Sequence, residues 1–367
     1  MNILLAAEDL ILNGVTRHII DLGNGLASNG HKVFVASTPS DQRDRLNPLI
    51  QFIPLSLCKD NSYKKQYQGI PSSIATLLHC IRQNQLDIIH THKRYMDILG
   101  RITARLTNII HIATCHNEFT NHRLLSRFGD ITIAPCPEIE HMLKNVFRIS
   151  EQRIKSIYYG IRPIPFIDAD AQKVYRDGLG ISSDVKIILS VGHLNRQKDR
   201  GTLIEAIRLL KERHYFKNAI CIIVGEGEEQ STIQQMIQRH DLNNEVLLFP
   251  ARSDVSMLNN IADFCVLSSI HEGAPHVILE AASVGKPFVA TSVGFIPGFI
   301  EDDRTGIRVP ARNPNALAEG IRSLLMDSTK VSKLGQAAYD KFMKCYSYDR
   351  FIQNTIALYE QSLIPKT

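Results

Sequence analysis

The chain has 367 residues, 44% of them hydrophobic and 22% charged, with a formal net charge of +5. That is too long for one ordinary core and suits two domains of about 150–190 residues each. The composition is that of a globular protein, and no window reaches the ~18 consecutive apolar residues of a membrane-spanning helix.

The N-terminal stretch "MNILLAAEDLILNG" lacks a basic start and carries Glu8 and Asp9 early. It reads as a first β-strand and not as a signal peptide. "GVTRHIIDLGNGLASNG" follows with apolar spacing of about 3.6 residues and a helix stop at Gly30. "HKVFVAS", "DIIHTH", "IIHIATC" and "ITIAPC" are the next strands, and "SSIATLLHCIRQNQ" is a helix among them. Pro163 and Pro165 in "YYGIRPIPFIDAD" break regular structure and mark a boundary. Strands then resume as "KIILSVG", "AICIIVG", "EVLLFP", "DFCVLSS" and "PFVATS". Their apolar runs are continuous, as a parallel sheet covered on both faces requires. "YSYDRFIQNTIALYEQSL" closes the chain with helical spacing.

Two βα arrays in series predict an α/β protein of two doubly wound, Rossmann-like domains. We place them at residues 1–163 and 164–346, with a helix over 347–367 expected to pack back on the first domain. In such folds ligands bind beyond the carboxyl ends of the strands, and a cleft between the two domains is the expected site.

The stretch "SSIHEGAPHVILEAASVGKPFVA", Ser268 to Ala290, carries the most chemistry. Pro275 suits the first turn of a helix expected to run to about Ser283 and stop near Gly285. The free N–H groups from Gly273 and Ala274 onward suit a phosphate. Glu272 is expected outside the helix, at the cleft rim. Glu280 is expected inside it among apolar neighbours, where a carboxylate needs hydrogen-bond donors such as sugar hydroxyls. A capping acid followed by an ordinary helix-surface acid is the plain alternative.

Here the sequence resembles the retaining glycosyltransferases of GT-B fold in glycosyltransferase family 4, also called glycosyl transferases group 1. The two glutamates resemble the family's E-x7-E signature. "GVTRHIIDLGNGLASNGHKVFVAS", "LDIIHTH", "IATCHNEF", "VGHLNRQKD", "IIVGEGEE" and "GKPFVATSVGFIP" extend the likeness over nearly the whole chain. The resemblance implies that Glu272 holds donor-sugar hydroxyls and that Glu280 holds the ribose. It implies that the backbone of Gly273, Ala274 and Pro275 lies along the diphosphate and sugar, and that Lys198 contacts the diphosphate. Cations there would stabilise the departing nucleoside diphosphate in place of a metal. His116 matches a family histidine that reaches the donor sugar, and Gly14 matches a glycine near its phosphate. Base contacts are expected from Ala251 and Arg252.

The chain departs from the family pattern in several places. His193 stands where the family has arginine after the glycine, so either His193 or Arg196 would supply the second cation. Asn13 replaces the first glycine of its loop, Tyr159 stands where an Asn-Gly pair is common, and Gly298 where a glutamate is common. "GEGEE" lacks the third glycine of a dinucleotide fingerprint.

The seven cysteines form no CxxC pair and read as reduced thiols in a reducing cytosol. No HExxH, Cys/His cluster or DxD pair suggests a metal. Residues 1–165 carry 19 Lys+Arg against 13 Asp+Glu, whereas residues 166–367 carry 23 against 24. The basic half includes Lys59, Lys64, Lys65, Lys93, Arg94, Arg101, Arg105, Arg123 and Arg127. It could meet an anionic acceptor or the inner membrane face. The basic residues are dispersed, and nucleic acid is not expected.

The expected function is transfer of a sugar from a nucleoside-diphosphate sugar to a glycan or glycolipid acceptor in bacterial surface-polysaccharide or lipopolysaccharide synthesis. It would need no cofactor or metal, and would take place in the cytoplasm or peripherally on the inner membrane face. The alternatives are a sugar-nucleotide hydrolase or epimerase of the same fold and a non-catalytic binding subunit.

Overall fold

The structure, a computed structural model, describes residues 1–11, 14–57, 69–117, 119, 128–272 and 276–364. It divides into two compact units, Met1–Gly160 with Asp349–Thr367, and Ile161–Tyr348.

The first unit is built on a seven-stranded sheet in the order β3-β2-β1-β4-β5-β6-β7. The strands are β1 (Asn2–Ala7), β2 (Lys32–Ser37), β3 (Gln51–Pro54), β4 (Ile88–His92), β5 (Ile110–Thr114), β6 (Ile131–Ala134) and β7 (Ile154–Ser156). All of their pairings are parallel. The central strands are buried on both faces, and Ile3, Leu4, Leu5, Ile88 and Ile89 are fully enclosed. The helix Gly14–Ser28 follows β1, and Gly30 beyond it adopts φ +81°. That left-handed conformation suits glycine and ends the helix where the sequence places the stop.

The second unit repeats the plan with six parallel strands in the order β10-β9-β8-β11-β12-β13. These are β8 (Lys186–Val191), β9 (Ala219–Val224), β10 (Val246–Phe249), β11 (Phe264–Leu267), β12 (Phe288–Thr291) and β13 (Gly306–Val309). In both orders the sequence direction reverses beside the first strand of the unit, between β1 and β4 and between β8 and β11. Crevices for ligands form at such switch points.

The sequence reading divided the chain after residues 163 and 346, whereas the units divide after Gly160 and Tyr348. The crossing segments explain the offset. Ile161 donates its N–H to the Tyr346 carbonyl at 3.1 Å and accepts from the Tyr348 N–H at 2.8 Å. That pairing binds the outgoing linker and the returning chain into the second unit. The terminal helix Tyr348–Leu363 then contributes Phe351, Ile352, Ile356 and Tyr359 as buried residues. Tyr359 Oη lies 2.6 Å from His90 Nδ1 on β4, which fixes the helix to the first unit.

Candidate functional site

In the second unit the chemistry gathers at the carboxyl ends of β8 and β11. After β8 the chain runs through Gly192 to a 3-10 turn, Arg196–Lys198, which Asn195 caps by accepting the Lys198 N–H at 3.1 Å. The helix Arg200–Glu212 follows, with Asp199 as its N-cap. After β11 come Ser268, Ser269, Ile270, His271 and Glu272. The two loops are tied together. Ile270 N–H donates to the Gln197 carbonyl at 2.8 Å, and Ser268 Oγ donates to the Lys198 carbonyl at 3.0 Å.

That scaffold brings Lys198 Nζ within 2.7 Å of both carboxylate oxygens of Glu272. Ser269 Oγ donates to the same carboxylate at 2.5 Å. Glu272 is only 5% exposed. Burying its charge is tolerable because three donor bonds meet it. On the other side, a side chain at Gly294, where φ is +50°, would collide with the Glu272 carbonyl. Glycine there lets the loop after β12 press against the Glu272 backbone.

The burial of the two glutamates is the reverse of the sequence expectation. Glu272 is enclosed rather than placed at an open rim, and Glu280 is half-buried on the helix His276–Ala282. Glu280 lies on the helix as expected. Gly273, Ala274 and Pro275, assigned to the phosphate, lie outside the described residues, as does Asn13.

The two candidates for a second cation both sit at the surface. The His193 side chain is 61% exposed with Nε2 3.9 Å from Glu228, and the Arg196 side chain is 89% exposed with Nε 3.7 Å from Glu229. Among the described hydrogen bonds and ion pairs, neither touches Lys198 or Glu272. The "GEGEE" glycines serve this loop. A side chain at Gly225 would strike the Gly192 carbonyl, and one at Gly227 the Leu194 carbonyl. Leu194 N–H also donates to the Glu226 carbonyl at 2.8 Å. The pair of glycines thus seats the Lys198 loop and is no dinucleotide fingerprint.

Near β10, Arg252 bonds Asp254 through Nε at 2.8 Å and Nη2 at 2.7 Å, and its guanidinium lies 4.7 Å from the Phe249 ring centre. Hydrogen bonds from Arg252 and Tyr175 hold the Asp254 carboxyl well below the usual range. Ala251 N–H donates to Glu226 Oε1 at 3.3 Å. The Arg252 head is therefore engaged within its own loop.

In the first unit the carboxyl ends of β4 and β5 carry a different chemistry. His92 ends β4, and His116 follows β5. His92 Nδ1 and His116 Nε2 are 3.0 Å apart, and His116 Nδ1 lies 2.6 Å from Tyr159 Oη. His18, on the helix Gly14–Ser28, packs edge-on against His92, His116 and Tyr159, with ring centres 5.5, 5.2 and 4.8 Å away. Desolvation pushes His116 down to about 3 and His92 well below its ordinary value, and each is lowered further by neighbouring imidazoles. The rings are thus neutral at physiological pH, able both to donate and to accept a hydrogen bond. Buried His92 Nε2 has no hydrogen-bond partner among the described residues.

Sequence spacing showed no histidine cluster because these three come from separate elements. Their ligating atoms lie within 4.8 Å of one another, which makes them the group that could hold a metal ion among the described residues. His18 and His92 were not singled out from sequence. Their signal was position alone, just beyond or beside strand ends. Tyr159, a departure from the family pattern, orients His116. Gly14 opens the helix that carries His18.

Of the basic residues in this half, Lys93 is tied to Asp9 at 2.5 Å and Arg101 to the Phe128 carbonyl at 2.9 Å. Lys59, Lys64, Lys65, Arg123 and Arg127 lie outside the described residues. The six described cysteines are unpaired thiols, and Cys58 lies outside.

A model named glycosyltransferase family 4 matches residues 12–163, and one named glycosyl transferases group 1 matches residues 171–341. The chain belongs to glycosyltransferase family 4. An uncharacterized glycosyltransferase of Methanocaldococcus jannaschii is 24% identical to this glycosyltransferase over 374 residues, covering 95% of each chain. A UDP-Gal:alpha-D-GlcNAc-diphosphoundecaprenol alpha-1,3-galactosyltransferase of Escherichia coli is 27% identical over 260 residues, 66% of each chain. A crystal structure of a glycosyltransferase from Rickettsia africae matches with a TM-score of 0.86 at 20% identity over 100% of this chain and 99% of that one. An Anabaena protein crystallised with UDP matches with 0.83 at 17% identity over 98% and 100%. The fold of the glycosyltransferase is GT-B, with one Rossmann-like sheet in each unit.

Proposed function

We propose that this glycosyltransferase moves a sugar from a nucleoside-diphosphate sugar to a hydroxyl of a glycan or glycolipid acceptor, with retention at the anomeric carbon and without a metal ion. The observation that carries the reading is the Lys198–Glu272 pair, built by two pinned loops at a switch point of the second sheet. Its ammonium suits a diphosphate, and its carboxylate suits sugar hydroxyls. On donor binding Lys198 turns from Glu272 to the diphosphate, which frees Glu272 to accept from the sugar. Glu280 holds the ribose. His116, neutral and fixed by Tyr159, meets the sugar as donor or acceptor.

In the chemical step the bond from the anomeric carbon to the diphosphate oxygen breaks, and a bond to the acceptor oxygen forms on the same face. The acceptor proton passes to the leaving diphosphate. Lys198 stabilises the charge that develops there. Glu272 positions the sugar and forms no covalent bond, unlike the carboxylate nucleophile of a retaining glycosidase.

Relatives support the substrate classes. One is named for a UDP-Gal donor and a diphosphoundecaprenol-linked acceptor, and another is an alpha-monoglucosyldiacylglycerol synthase. Solved neighbours carry UDP and UDP-glucose, and one is described as acting in lipopolysaccharide biosynthesis. A bacterial surface glycan or glycolipid is the product class we propose, made on the cytoplasmic side.

The first unit would approach an anionic membrane surface through the helix Arg94–Thr107, where Ile102 and Leu106 are exposed beside exposed Arg105. Among the described residues no helix is long and apolar enough to cross a membrane. Salt-sensitive sedimentation with anionic liposomes is the expected result, and binding that ignores salt or fails removes the membrane contact.

A thermal-shift panel of sugar nucleotides, each with and without EDTA, tests the main reading. One donor should stabilise the protein equally in both conditions, and NMR of the product formed with an acceptor should show the donor's anomeric configuration. Inversion, a requirement for metal, or sugar release at the same rate without acceptor would contradict it.

A further inference from the structure

Arg200 is the first residue of the helix Arg200–Glu212, and it is 2% exposed. None of its Nε, Nη1 or Nη2 atoms has a hydrogen-bond partner among the described residues. A guanidinium carries five N–H donors and normally satisfies them when buried. A cation left unpaired inside a protein is a liability unless something arrives to meet it. Burial lowers its pKa to about 10, opposed by Glu272, Cys221 and Asp199, so it stays charged at neutral pH.

The guanidinium has a definite target. Its Nη2 lies 3.2 Å from the point where a side chain at Gly192 would begin, and Lys198 Cε lies 3.9 Å from the same point. Gly192, having no side chain, therefore leaves a small notch between the Arg200 guanidinium and the Lys198 stem. Of the two carboxylates that interact with Arg200, Glu272 already gives both oxygens to Lys198 and Asp199 caps the helix through Thr202. Neither carboxylate bonds the guanidinium, which keeps its donors free for a ligand. The two alternatives for a second cation offered by the sequence, His193 and Arg196, are exposed and lie near Glu228 and Glu229.

We infer that Arg200 is a second phosphate-binding cation of the donor site, acting on the diphosphate from beneath Gly192 in the role that His193 does not fill. The inference rests on the glycosyl-transfer reading above. A phosphate oxygen at the notch receives N–H groups from the guanidinium fork, and charge-assisted bonds of this kind are the stronger class. Arg200 also explains how Lys198 can leave Glu272 when a donor binds. A fixed cation remains close to the carboxylate, which is not stranded as a lone buried charge.

The experiment compares wild type, Arg200→Met, Arg200→Lys and the double variant Arg200→Met with His193→Arg. Calorimetry measures binding of UDP, GDP, ADP and inorganic pyrophosphate, with the matching nucleosides as controls, and melting is followed without ligand. Arg200→Met should weaken the preferred nucleoside diphosphate and pyrophosphate by about tenfold or more. It should leave the nucleoside unchanged. It should also raise the melting temperature of the unliganded protein, because an unpaired buried charge has gone. Arg200→Lys should lose less affinity. His193→Arg in the Met background should restore diphosphate binding, which a structural role for Arg200 would not produce.

Diphosphate affinity equal to wild type in Arg200→Met overturns the inference. So does a lowered melting temperature or failure to fold, combined with no gain in affinity from His193→Arg. If wild type binds no nucleoside diphosphate better than its nucleoside, the donor reading itself fails.

Discussion

At the carboxyl ends of β4 and β5, the first unit presents His92 and His116 with His18 and Tyr159 packed around them. At the carboxyl ends of β8 and β11, the second unit presents Lys198 and Glu272 with Arg200 buried nearby. Both clusters sit beside a switch point in a parallel sheet, yet the first is held neutral and the second is charged. Burial drives the imidazoles toward their uncharged form. In the second unit burial is offset by direct ion pairing between Lys198 and Glu272. A neutral cluster of rings suits hydroxyl groups, while a charged cluster with an unbonded guanidinium suits a diphosphate.

The largest effect should come from the charged side. Glu272→Ala removes the carboxylate that pairs Lys198 and interacts with Arg200. It should lower kcat about a hundredfold or more, by analogy with loss of one preorganised charge-stabilising group. It should also cost about 3–5 kcal/mol of stability, because it breaks a buried pair. Glu280→Ala should mainly raise the donor KM. Steady-state kinetics with calorimetry of donor binding checks the division. Equal loss of kcat in both variants with donor affinity unchanged would erase it.

Next in size is acid sensitivity, which should separate the two units. His90, His92, His111 and His116 all have folded pKa values below the ordinary 6.5, His111 at about 4. Their contribution to stability is fully present above about 6.5 and is lost as pH falls toward the folded values. In the second unit the lowered groups include Glu205 and Glu301, whose ordinary value is 4.5, so loss there begins only below that pH. Hydrogen exchange at pH 7.5 and 5.5 should show the first unit loosening first. Uniform loosening of both units would contradict the contrast.

A smaller effect opposes this trend within the first unit. Asp97 is buried, accepts from Thr91 Oγ1 at 2.6 Å, and is raised from 3.8 to about 8 by desolvation. Its contribution is fully present below about 3.8 and is lost as pH rises through about 8. Asp97→Asn should therefore flatten the pH dependence of stability on the neutral to alkaline side, measured by urea unfolding from pH 6 to 9. An unchanged slope would show that Asp97 is ionised in the fold. The smallest change is Tyr159→Phe, which deletes the hydrogen bond to His116 Nδ1. It should cost about 1 kcal/mol and lower turnover severalfold, with little change in nucleoside diphosphate affinity. A matching loss of diphosphate affinity would place Tyr159 in the anion's site.

Much of the fold was legible because parallel strands covered on both faces must be continuously apolar. All ten strands named from sequence are present. β3, β7 and β13 were not named. β3 and β7 are short, end in exposed residues and leave little apolar signal, as "QFIP" and "IKS" show. Helix stops at Gly30 and Gly285 were readable because both take positive φ. Glu272, Lys198 and His116 were proposed as site residues through a family resemblance. The contact between Lys198 and Glu272 was not legible, because they lie 74 residues apart in sequence. Arg200 left no trace, since an arginine at the start of a helix reads as a surface residue until its burial is seen. The "GEGEE" glycines showed their purpose only when the Gly192 and Leu194 carbonyls were found against them.

The central claim is that the donor diphosphate is held by the loops after β8 and β11. Hydrogen exchange on the whole protein, with and without the sugar nucleotide that stabilises it, tests this most directly. Slowed exchange in residues 192–200 and 268–282 is the predicted result. Full occupancy by the donor with no protection in either stretch would contradict it.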